Sequence, residues 1–295
     1  MKKVVATNAM NERSWKENDA PSILEARRFL ISSSAPAVMQ INKNPLPQSF
    51  EQFGFSANRT GGHMARSMML VEMRQLHEAL PVEASLDDYR SAIEERNVLG
   101  KPTQSSRQKS YRHLVELYGL DFKKPLFQTM RRLAKDQPAD FPLLAMLCVY
   151  SRDPQLRHSF ELIVSLAPAT ALPRERMEQH LEEGFPGQFS AAMKKSLAQN
   201  VNTTWTACGH LEGRAKKVRS LPRPGWAAST YAMFVGYLLG LRGEILLHSV
   251  FSRLVAAQPA QLTAHLATAA SRHWLRLRHA GGVIEIDFSK LAHTE

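Results

Sequence analysis

Two stretches carry the residue types that grip phosphate. The first is Gly213-Arg214-Ala215-Lys216-Lys217-Val218-Arg219-Ser220-Leu221-Pro222-Arg223-Pro224-Gly225, in which five cations meet no acid. Such a group attracts polyanions, and its Pro-Arg-Pro-Gly ending removes backbone donors and stops a helix. The expectation is a charged linker, with Arg214, Lys216, Lys217, Arg219 and Arg223 free to touch phosphate. The second stretch holds Thr103, Ser105, Ser106, Arg107, Lys109 and Arg112. Hydroxyls, cations and N–H groups at a helix start can hold phosphate or enter a major groove. An ordinary capped helix with a solvated basic face uses the same residues.

The helices that must position these residues follow from periodicity. Residues 64–76 repeat apolar side chains at helical spacing. Ser85 reads as an N-cap with Asp87 and Asp88 in the first turn, where acids favour the positive helix end. A turn at 101–106 then feeds a helix over 107–118. Residues 121–166 are strongly helical, and the run Leu143, Leu144, Met146, Leu147, Val149 and Tyr150, apolar nearly all round, predicts the centre of the body. Helices over 173–184 and 190–208 close it, the second placing Met193, Leu197, Val201 and Trp205 in one stripe and Lys194 and Lys195 elsewhere.

The expected organisation is an N-terminal arm (1–52) with one helix near 20–31, a helical body (53–212), the basic linker (213–225) and a small C-terminal unit (226–295). In that unit a buried helix over 230–241, two further helices and then a change of period to strand are expected. If Gly281 and Gly282 form the turn, Ala280 faces Val283, His279 faces Ile284, Arg278 faces Glu285, Leu277 faces Ile286 and Arg276 faces Asp287. Opposite charges then meet on one face and apolar side chains on the other, and a slip of one residue destroys both patterns. Helices followed by a hairpin give a winged-helix-like unit. Arg276 and Arg278 are expected to fix the hairpin, which leaves Arg272 and His279 freer for phosphate.

Composition bounds the function. Lys and Arg number 38 against 27 acids, a net charge of +11, and 44% hydrophobic with 22% charged residues is ordinary for a folded globular chain. Cys148 and Cys208 form neither a disulfide framework nor a zinc site, which fits a reducing cytoplasm. The N-terminus shows no apolar signal core, and the apolar stretch 226–241 is too short to span a membrane. No phosphate-binding glycine loop, dinucleotide fingerprint, HExxH or GxSxG occurs, and the eleven histidines are scattered. The acids Glu285 and Asp287 with Lys290 hint at a metal nuclease, but the hairpin register accounts for both without a metal. A non-enzymatic protein with no cofactor is the expectation.

Several of these segments together resemble a known family. Leu211-Glu212-Gly213 with the basic run, Tyr231-Ala232, and Arg278-His279-Ala280-Gly281-Gly282-Val283-Ile284-Glu285-Ile286-Asp287-Phe288 look like the BrxA family of BREX phage-defence systems. Phe55-Ser56, Gly61-Gly62, Glu94-Glu95-Arg96-Asn97-Val98-Leu99-Gly100-Lys101 and Ser105-Ser106-Arg107 agree in order and spacing, so the resemblance covers about 53–288. It implies a mainly α protein: an N-terminal helical bundle similar to NusB-type factors, then the winged-helix-like unit with one β-hairpin. It also implies a component that binds double-stranded DNA and works with a methyltransferase, a PglZ-type protein and an ATPase. An assembly adaptor meeting acidic proteins, or an RNA-binding protein, fits the same basic surface.

Overall fold

The structure, a computed structural model, describes residues 46–280 and 283–292. It is mainly helical, with two small antiparallel sheets. The helices of the first half are α1 (Leu70–Ala79), α2 (Leu86–Arg90, continued by a π turn Ser91–Glu95), α3 (Gln104–Tyr118), α4 (Pro125–Asp136), α5 (Phe141–Tyr150) and α6 (Pro154–Ser165). Strand β1 (Ala171–Leu172) precedes α7 (Arg174–Gly184) and α8 (Ala191–Ala207), which lead into strands β2 (Leu211–Glu212) and β3 (Lys217–Arg219). The remainder holds α9 (Trp226–Leu238), α10 (Glu244–Leu247), α11 (Val250–Leu254), α12 (Pro259–Ser271), the hairpin β4 (Arg276–Ala280) and β5 (Val283–Asp287), and α13 (Ser289–Ala292).

Local signals place several ends where the sequence puts them. Ser85 caps α2 by accepting from Asp88 N, and Asp88 returns a carboxylate oxygen to Ser85 N. The β4–β5 register is the expected one from Arg276 opposite Asp287 to Ala280 opposite Val283, and Arg278 lies 3.7 Å from Glu285. Helix α1 starts later than its apolar pattern, because Met69 adopts a left-handed conformation (φ 49°) and Gly62–Met64 forms a separate 3-10 turn. The body also begins earlier than 53: Leu46 and Phe50 are buried, and Phe50 packs edge-on to Phe55 at 6.0 Å. The helix expected near 20–31 lies outside the described residues.

Residues 217–219 of the charged linker form a strand. β3 is the middle of a three-stranded sheet, with Ala171 opposite Val218 and Leu211 opposite Arg219. Paired backbone on both sides fixes the chain, so residues 217–219 do not connect two free bodies.

The C-terminal unit is not a separate core either. Helix α9 buries every residue except Tyr237 and packs against α4 and α5 of the body as well as α11 and α12. Tyr231 donates to the Leu126 carbonyl at 2.8 Å. Asp140, just before α5, caps α9 from across the fold by accepting from Gly225 N and Ala228 N, both at 2.8 Å. One hydrophobic cluster therefore runs from Leu46 to Leu291. The stretch reads as a small domain's helix because its length and glycines are local; what surrounds it is set by tertiary contacts.

Candidate nucleic-acid interface

The start of α3 is built by a reciprocal cap. Ser106 N donates to Thr103 Oγ1 at 3.1 Å, and Thr103 N donates to Ser106 Oγ at 3.1 Å. Ser106 Oγ also donates to the Thr103 carbonyl at 2.7 Å. Both hydroxyls are thus committed to the backbone, leaving Ser105 exposed beside the first N–H groups of the helix, which have no intrahelical acceptor. These residues line a recess of about 500 Å³ shared with Arg66, Met69, Glu72, Lys101 and Lys109. Lys101 and Glu72 form an ion pair at 3.0 Å. Arg66 and Lys109 are exposed, and neither has an ion-pair partner among the described residues.

Lys109 and Arg112 continue the basic surface along one side of α3, and His113 sits beside them. Burial lowers the His113 pKa, and the nearby Arg66, Arg112 and Lys109 lower it further. An uncompensated cluster of cations does this, because each disfavours another positive charge. Arg107 departs from the expected group. Its Nη1 donates to the Glu94 carbonyl at 3.0 Å, so it ties α3 to the π turn after α2.

A second basic point is the β2–β3 turn. Gly213 has φ 88°, and a Cβ there would collide with the Lys216 carbonyl, so the turn is closed by glycine. Arg214 and Lys216 are exposed at its tip, and Arg223 is exposed farther on. Lys217 is half-buried, donates to the Gly213 carbonyl at 2.7 Å and has its pKa lowered by burial. Arg219, expected to face phosphate, is buried and donates to the carbonyls of His210 (2.9 Å) and Ser220. It braces the sheet from inside and is not a surface contact.

The other expected contacts lie apart from these two points. Lys194 pairs with Glu182 at 3.0 Å in a groove lined by Glu175, Glu178, Gln179 and Glu183, so it sits on an acidic surface. The adjoining Lys195 is exposed. Arg272 is exposed with its guanidinium 5.0 Å over the Trp226 ring. His279 holds the strand position opposite Ile284, and its side chain lies outside the described residues.

Part of the positive charge faces inward. Arg131 is fully buried and donates to the Leu80 and Pro81 carbonyls, and Arg157 is buried and donates to the Tyr150 carbonyl. Burial lowers the pKa of both. With Arg219 they take part of the net charge of +11 off the surface.

No family model matches the chain, and no curated protein matches it. Among the described residues, no helix is long and apolar enough to cross a membrane.

Three residues of the α3 surface were not signalled by sequence. Arg66 lies in a stretch whose pattern reads as a core-facing helix, Lys101 in a turn, and His113 inside a helix. The nearest signal was Lys101 standing two residues before the Thr103 cap.

Proposed function

We propose that this chain is a non-enzymatic DNA-binding accessory component of a BREX-type phage-defence system. It holds duplex DNA mainly through phosphates and helps assemble or target the complex. The observation that carries this reading is the basic recess and strip at α3, where Arg66, Lys101, Lys109 and Arg112 meet a capped helix start. Phosphate contacts of this kind position a protein on DNA without reading its sequence. The sequence resemblance to the BrxA family supplies the system, and its expected partners are the methyltransferase, the PglZ-type protein and the ATPase.

Titration of a labelled duplex at several salt concentrations tests the reading. Affinity should fall linearly on a log–log plot with a slope of about −0.9 per phosphate neutralised. Affinity that does not depend on salt, or that is matched by a control protein of equal charge, rejects it.

The groove around Glu175, Glu178, Glu182 and Glu183 favours a second reading, an assembly adaptor that presents an acidic face to a basic partner. Under that reading, a second defence subunit co-purifies with the chain in DNA-free lysate and Glu175→Lys with Glu182→Lys releases it.

A further inference from the structure

The charge balance of the α3 recess goes beyond general attraction to DNA. Arg66 comes from the loop before α1, Lys101 from the turn before α3 and Lys109 from α3 itself, and together they face one carboxylate, Glu72. Glu72 is engaged by Lys101, which leaves Arg66 and Lys109 as two positive charges with no ion-pair partner among the described residues. An internal phosphodiester carries one negative charge on a convex duplex backbone. A terminal phosphate monoester carries close to two at neutral pH and, being at a chain end, can enter a concavity.

The recess volume of about 500 Å³ has room for more than a phosphate. The mixed lining also fits more than a phosphate. A carboxylate repels phosphate oxygens, but Glu72 can accept from the ribose hydroxyl of a free nucleotide, and Met69 supplies an apolar wall for either a free nucleotide or a strand end.

We propose that this recess binds the terminal phosphate monoester of a nucleotide in preference to an internal phosphodiester. The source is either the 5′ end of a DNA strand, which rests on the DNA-binding reading above, or a free mononucleotide, which does not.

The test uses the full chain and three blunt duplexes of one sequence, ending in 5′-hydroxyl, 5′-phosphate or 5′-methyl phosphate, followed by fluorescence anisotropy. Calorimetry with AMP and with adenosine forms the second arm. The 5′-phosphate duplex should bind about tenfold more tightly than the hydroxyl duplex, a single charge-assisted contact. The methyl phosphate, with its second charge removed, should fall near the hydroxyl duplex. Arg66→Ala with Lys109→Ala should abolish the preference and leave residual binding to all three.

Equal affinity for the three duplexes with no AMP binding overturns the inference and leaves DNA binding standing. Equal affinity with AMP bound more tightly than adenosine assigns the recess to a free mononucleotide. AMP binding without duplex binding does the same and rejects the DNA reading. If neither duplex nor AMP binds, both proposals fail.

Discussion

His63 Nδ1 lies 2.9 Å from Asp153 Oδ2, and both side chains are buried. The opposite ring nitrogen, Nε2, is 2.7 Å from Thr204 Oγ1, which also accepts from Met68 N at 2.9 Å. With the ring proton on Nδ1 donated to Asp153, Nε2 accepts from the Thr204 hydroxyl, and every member of the chain is satisfied. Threonine, histidine and aspartate in series resemble a catalytic relay, yet His63 and Thr204 are wholly inaccessible. The network pins the loop that carries Arg66. Gly61 N donates to Gln155 Oε1 at 2.8 Å, and Asn200 Nδ2 donates to the His63 carbonyl at 3.0 Å, so α6 and α8 hold the same loop.

Asp153 makes stability depend on acid. Burial, the largest influence, pushes its carboxyl up. His63 and the N–H groups of His63 and Leu156 pull it down, and the balance lies below the ordinary value of 3.8. A carboxyl depressed on folding contributes stability that is present above its unfolded value and lost as pH falls through its folded one. Asp153→Asn should therefore cost about 1 to 3 kcal/mol at pH 7, the cost of leaving a buried donor without its acceptor. The gap from wild type should begin to narrow as pH falls below about 4, where the unfolded chain's carboxyl takes up its proton, and close only once the folded carboxyl is protonated as well. Urea unfolding of both proteins between pH 7 and pH 3 measures this, and a gap constant with pH would remove the ionised carboxylate from the account.

The α3 surface predicts a change in salt dependence. Neutralising Arg66, Lys109 and Arg112 together should flatten the log–log salt slope of duplex binding by about 2.7, or 0.9 for each phosphate that no longer meets a cation. Lys194→Ala should leave the slope unchanged, because its ammonium already pairs with Glu182 on an acidic surface. Anisotropy titrations from low to moderate salt compare the two proteins. A triple variant with the wild-type slope places the interface elsewhere.

The basic run divides into two behaviours. Arg214→Ala with Lys216→Ala alters only exposed tip residues, so the melting temperature should hold while the salt slope drops by about 2. Arg219→Ala removes donors to the His210 and Ser220 carbonyls inside the fold, and should cost about 1 to 3 kcal/mol with the salt slope unchanged. Thermal unfolding and DNA titration on both proteins separate the roles. A slope change in the Arg219 variant without loss of stability would return it to the surface.

What could be read from sequence was local. The Ser85 cap and the β4–β5 register depend on residues within a few positions, and alternating charge and apolar side chains allowed one register. A helix following the 101–106 turn was legible for the same reason, but it begins at Gln104 and not at 107, capped by Thr103, and the hydroxyls of Thr103 and Ser106 are committed to the backbone. Arg219 could not be placed, because the carbonyls that accept from it become neighbours only when β2 and β3 pair. Arg66 could not be found because its loop is positioned by Asp153, 90 residues from His63. The burial of α9 likewise depends on Asp140 and Leu126, both far upstream.

Asp140 therefore tests whether the two halves unfold as one. Its carboxylate holds Gly225 N and Ala228 N at the first turn of α9, in the same fold position that starts α5. Asp140→Ala should leave both amides without acceptors and weaken the contact between the helices, a loss of about 2 to 4 kcal/mol for two charge-assisted bonds. If the cluster from Leu46 to Leu291 is one cooperative core, the amides of α5 and α9 should lose hydrogen-exchange protection together and by the same factor. A variant in which α9 exchanges freely while α5 stays fully protected would restore a boundary near residue 226 and make the C-terminal unit a separate body.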